Sequence, residues 1–96
     1  MFARVVQFQF KPEAVEQGLQ ALRKRVLPDL LQESGYRSSQ LLVERQTGAV
    51  LIISLYETED DARRRDEVGF HRRLSMLEGM LAGRPQPSFY EVAADD

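Results

Sequence analysis

Three features of the sequence predict an α+β fold with the element order β-α-β-β-α-β. Four short segments carry strand patterning, two apolar stripes at helical spacing lie between them, and the third strand is apolar on both parities. The 96 residues suit one core, and the whole chain, 1–96, reads as a single domain. Hydrophobic residues at 43% and charged residues at 29% are those of a folded globular protein.

The first strand spans Phe2 to Phe10, with Phe2, Val6, Phe8 and Phe10 on one parity and Ala3, Val5, Gln7 and Gln9 on the other. Lys11-Pro12-Glu13 opens a helix, because proline is tolerated in the first turn and Glu13 suits the positive end of the dipole. Val15, Leu19, Leu22, Val26 and Leu30 form its apolar stripe. Pro28 removes a backbone donor inside that stripe and crowds the carbonyl four residues back, so a kink is expected near Lys24 to Pro28, with Gly35 as the left-handed terminator.

A hairpin follows, Gln40 to Glu44 and Ala49 to Glu57, turning at Gln46-Thr47-Gly48. Thr58-x-x-Asp61 resembles a capping box and starts a second helix, whose charged first half gives way at Gly69. Phe70, Leu74, Leu77 and Leu81 resume the helical stripe, which Gly83 and Pro85 close. A short last strand covers Ser88 to Ala93, and Asp95-Asp96 ends the chain as a frayed tail.

This order matches the split βαβ, ferredoxin-like arrangement: an antiparallel four-stranded sheet with two helices on one face. Two helices cover one face only, yet Val50 and Ile52 share one parity of the third strand while Leu51, Ile53 and Leu55 share the other. A second copy packing through the helix-free face, as a symmetric homodimer, is the expected remedy. The net charge of −2 argues against nucleic acid as the main partner. Disulfides, thiolate metal sites and cysteine nucleophiles are excluded, because the chain has no cysteine. No apolar run reaches transmembrane length and no cleavable leader is read, so no membrane partner and a cytoplasmic location are expected.

The succession Phe10-Lys11-Pro12, Val26-Leu27-Pro28-Asp29-Leu30-Leu31, Gly35-Tyr36, Leu41-Leu42-Val43 and Thr47-Gly48 resembles the antibiotic biosynthesis monooxygenase-like domains of the dimeric α+β barrel superfamily. Leu51 through Ala62 is the most specific part, similar to the family's strand that ends in an aromatic-Glu pair before a capped helix. The resemblance implies a homodimer with a cavity between the sheet and the helices of each subunit. It further implies either oxidation of a small aromatic or quinone-like molecule with no metal or flavin cofactor, or a non-catalytic binding or stress-related module. The family's haem-degrading branch carries Asn, Trp and a haem-ligating His; this chain has neither Asn nor Trp, and haem binding rests on His71 alone.

Six residues are candidates for that cavity. His71, the only histidine, suits a proton shuttle or stands as a surface residue beside Arg72 and Arg73. Gln7 offers an amide to a phenol or quinone oxygen, or faces solvent or the dimer partner; both parities of the first strand stand as possible cavity linings. Tyr56 is a ring-flanking donor, and with Gln7 and His71 it forms the catalytic set. Tyr36, Tyr90 and Arg4 complete the ligand-binding candidates, the tyrosines being equally explained by packing. Arg4 interrupts an apolar parity and calls for a carboxylate such as Glu91 or Glu57. Arg63-Arg64-Arg65 and Arg72-Arg73 read as solvated helix faces, and no phosphate loop, nucleophile elbow or metal-ligand cluster is present.

Overall fold

A computed structural model describes residues 1–64 and 66–95. Arg65 of the basic run and Asp96 of the tail lie outside the described residues. Four antiparallel strands form one sheet in the order β2-β3-β1-β4: β1 (Phe2–Gln9), β2 (Tyr36–Glu44), β3 (Ala49–Tyr56) and β4 (Gln86–Glu91). Period-two alternation sends Arg4, Val6 and Phe8 of β1 and Val50, Ile52, Ser54 and Tyr56 of β3 to the face covered by helices. The core lies there, where Phe8, Phe10, Val50 and Ile52 meet Val15, Leu19, Leu22, Val26 and Leu30.

The first helical region opens as a 3₁₀ turn at Pro12–Ala14 and continues as α1 (Val15–Ala21). Near the position expected to kink, the helix takes a π-helical turn, Leu22–Val26, after which α2 (Leu27–Leu30) carries Pro28 in its first turn. Leu27 N–H bonds Leu22 O, five residues back, so the helix widens where proline cannot donate. Gly35 terminates the region with φ +76°, as the left-handed position requires, and its carbonyl accepts from Glu57 N–H at 2.9 Å.

The second helical region departs from the sequence reading at both ends. Thr58 caps α3 (Glu59–Arg63) as expected, accepting from Asp61 N–H at 3.1 Å. The break comes before Gly69: Asp66 caps α4 (Glu67–Met76) by accepting from Gly69 N–H at 2.9 Å, which places the glycine inside the first turn. The helix ends at Met76, well short of Gly83, and Gly79 turns the chain at φ +82°. Leu81 therefore joins the core from an isolated antiparallel bridge to Phe10. Strand β4 begins two residues earlier than the pattern suggested.

The face away from the helices carries an apolar patch centred on β3, as its two-sided pattern required, beside the polar Gln7, Gln40 and Ser88. Val5, Leu51, Ile53 and Leu55 are half-buried, while Leu42 and Tyr90 are 44% and 55% exposed. No helix among the described residues is long and apolar enough to cross a membrane.

Candidate functional site

The helices do not close completely on the sheet. A cleft of about 870 Å³ runs between them, with Val6, Phe8 and Ile52 on the sheet side and Leu22, Val26 and Leu30 on the first helical region. Phe70, His71, Arg73 and Leu74 of α4 form the opposite wall. The helical stripe thus does two jobs: part of it fills the core and part faces the cleft.

At one end the cleft turns polar. Arg4, on the helix-facing parity of β1, sends Nη2 to both Glu33 Oε1 and the Tyr56 hydroxyl, and its guanidinium carbon lies 4.8 Å from the Tyr56 ring centroid. The Tyr56 hydroxyl donates to the same Glu33 oxygen at 2.5 Å. Arg73 Nη2 lies 3.8 Å from the other Glu33 oxygen, Oε2, while its Nη1 donates to Asp29 Oδ2 at 3.0 Å. Arg72 closes the network from outside, donating through Nε and Nη2 to the two Asp29 oxygens, 3.0 Å each.

The electrostatics follow from these partners. The hydrogen bonds from Arg72, ahead of the opposing effect of burial, hold the Asp29 carboxyl below its usual range. Burial pushes the Tyr56 hydroxyl well above its ordinary value; the Arg4 charge opposes this and the hydrogen bond to Glu33 adds to it. Tyr56 is consequently a neutral donor at physiological pH.

The structure distributes the six sequence candidates unevenly. His71 and Arg4 line the cleft. Tyr56 is completely buried directly behind Arg4, and its hydroxyl is spent on Glu33, so it reaches the cleft through its neighbours. Tyr36 stacks edge-on against Tyr56 with centroids 5.9 Å apart, and donates to Ser39 Oγ at 2.7 Å; Ser39 in turn shares a 2.9 Å hydrogen bond with Ser54. A bulge at Arg37 brings Tyr36 onto this face. Gln7 and Tyr90 lie on the helix-free face: Gln7 sits opposite Leu51 and Gln86, Tyr90 opposite Ala3, and neither lines the cleft. Strict alternation along β1 puts Gln7 on the opposite side from Arg4.

Arg4 pairs with neither carboxylate proposed from cross-strand geometry. Glu57 binds Arg37 at 2.8 Å, and Glu91 is exposed opposite Phe2. The partner is Glu33, delivered from the turn after α2 because Arg4 faces the helices. Glu33, Asp29 and Arg73 are the residues that pattern reading missed. The one signal for them was the unexplained charge of Arg4 on an apolar parity. His71 has Phe70 beside it, ring centroids 6.0 Å apart, and no carboxylate bonded to its ring among the described residues. No group of three His, Cys, Asp or Glu side chains converges as a metal site would require among those residues.

A ferredoxin-like α+β sheet with a cleft under its helices is the class that this fold and site define. The sequence model of the antibiotic biosynthesis monooxygenase family matches residues 1–71, and the chain belongs to that family. Solved structures agree in fold. A monooxygenase from the gene ActVA-Orf6 of Streptomyces coelicolor, in complex with the ligand Nanaomycin D, superposes with a TM-score of 0.78 at 19% identity, covering 99% of this chain and 89% of that one. A putative antibiotic biosynthesis monooxygenase from Nitrosomonas europaea gives 0.76 at 16% identity, covering 98% and 100%. One from Deinococcus radiodurans gives 0.77 at 14%, covering 100% and 96%. Among curated proteins none matches the sequence significantly.

Proposed function

We propose that this protein is a cofactor-independent monooxygenase whose cleft holds a small aromatic or quinol-like molecule. The observation that carries the reading is a cleft with an apolar floor, Val6, Phe8 and Ile52 facing Leu22, Val26 and Leu30, and charged groups around its rim, suited to a flat ring bearing oxygen at its edge. Family membership supports the reaction class, and the ligand-bearing Streptomyces relative supports a small-molecule occupant.

The chemistry asks little of the protein. The substrate loses a proton, gives electrons to dioxygen and takes one oxygen atom, the other leaving as water: SH2 + O2 → S=O + H2O. His71, exposed on the cleft wall, is the base for the first proton. Arg4 donates at the polar end, while Tyr56 and Glu33 act as positioning residues that hold its guanidinium in place. Gln7 takes no part in this scheme.

The functional unit proposed is a homodimer through the helix-free face, since Leu51, Ile53 and Leu55 need a cover that the monomer lacks. The test is oxygen uptake by purified protein treated with a chelator and supplied with a 1,4-naphthoquinol. Uptake dependent on the quinol and on the protein is expected, falling roughly 100-fold in His71→Ala. Saturable binding of the quinol without oxygen consumption would overturn the oxygenase and leave a binding module of the same cleft. The ring of His71, with no carboxylate to orient it among the described residues, is the observation that favours that second reading.

A further inference from the structure

The polar end of the cleft is not electrically neutral. Arg72 and Arg73 both engage Asp29, and Arg4 and Arg73 also flank Glu33, so three guanidiniums share two carboxylates. Arg4 and Arg73 bracket the Glu33 carboxylate, one at each oxygen, and their side chains are only 12% and 13% exposed. Within this cluster of five side chains one positive charge is thus left over in a setting with little water to screen it, Asp66 also lining the cleft. Among the described residues, Arg4 uses only Nη2 in hydrogen bonds and Arg73 only Nη1, so both forks have spare donors; none of these polar atoms is sealed from the cleft or solvent without a partner. Both residues line the cleft itself.

We infer that this end is a carboxylate pocket, and that the cleft selects aromatic molecules carrying a carboxylate at one edge. Planar guanidinium forks match a carboxylate in geometry as well as charge, and a ligand anion would complete the balance that Glu33 leaves half made. The apolar walls take the ring and the Arg4–Arg73 pair takes the anionic edge. The inference rests on the reading of this cleft as a ligand site and adds the charge class of the ligand.

The experiment is a matched-pair titration at neutral pH with 2-naphthoate and 2-naphthamide, equal in shape and different in charge. Naphthoate is expected to bind at least 10-fold more tightly than the amide, with the ratio falling towards one in Arg73→Gln and surviving in Arg84→Gln, a cleft arginine at the other rim. The wild-type pair decides the matter even where Arg73→Gln fails to fold. Equal affinities, or a preference that disappears with Arg84→Gln alone, overturn the inference and leave the cleft reading intact. Absence of saturable binding by either compound overturns both.

Discussion

The Tyr56 hydroxyl donates a 2.5 Å hydrogen bond to Glu33 Oε1, tying the end of β3 to the turn after α2 across 23 residues of sequence. Arg4 joins the same oxygen from β1, so three separate elements meet on one carboxylate atom. This junction sets the polar end of the cleft.

Removing the hydroxyl tests that junction. Tyr56→Phe leaves the ring stacking in place and is expected to lower unfolding free energy by about 2 kcal/mol, since a hydrogen bond to a charged group is lost at a buried site. The sign of its pH dependence follows from burial. The folded pKa lies above the unfolded value near 10, so the stability is intact below about pH 10 and declines as pH rises beyond it, when only the unfolded chain ionises. Urea denaturation between about pH 9 and 11 should therefore show a flatter curve for Tyr56→Phe than for wild type.

Asp29 has the opposite sign. Its folded pKa is depressed below the ordinary 3.8, chiefly by the hydrogen bonds from Arg72, so its contribution is present above about pH 4 and disappears as pH falls through the lower folded value. Asp29→Asn should be less stable than wild type at pH 7 and should lose less on acidification. Melting temperatures from neutral pH down to about 2.5 check both halves of this expectation.

Gly18 sets helix propensity against packing. Alanine is favoured over glycine in an exposed helix interior by about 1 kcal/mol. A Cβ at this position, however, overlaps the ring of Phe10, which is completely buried in the core. Gly18→Ala is expected to destabilise the protein by about 1–3 kcal/mol, as overpacking does. A rise in melting temperature would contradict the packing described.

Ile53 lies in the middle of the helix-free face, between Val5 on β1 and Gln40 on β2. Native mass spectrometry of wild type is expected to give twice the chain mass, and Ile53→Lys the single chain mass, because an unpaired charge at the centre of an apolar interface costs several kcal/mol. A wild-type monomer would remove the dimer from the functional proposal.

The residues that the sequence made legible are those whose behaviour is local or periodic. The four strands, the Thr58 cap, the Gly35 terminator and the two-sided apolarity of β3 follow from spacing and from φ/ψ preferences within a few residues, and these local rules act before any tertiary contact forms. Even the disturbance near Pro28 was readable, because proline removes a donor wherever it stands. The second helical region was harder. Asp66 is an ordinary acidic residue among many, and its role as a cap comes from where the chain was free to break.

Tertiary structure alone decided the site. The partners of Arg4 and Tyr56 lie 29 and 23 residues away, and those of Arg72 and Arg73 lie 43 and 44 away. Side-chain charge pairs of that separation carry no periodicity, so the pattern exposed the isolated charge of Arg4 but could not choose among the chain's carboxylates. The face occupied by Gln7 was likewise fixed by which parity of β1 the helices covered. Sequence determined which residues alternate; the packing of helices against one side determined which of them reach the cleft.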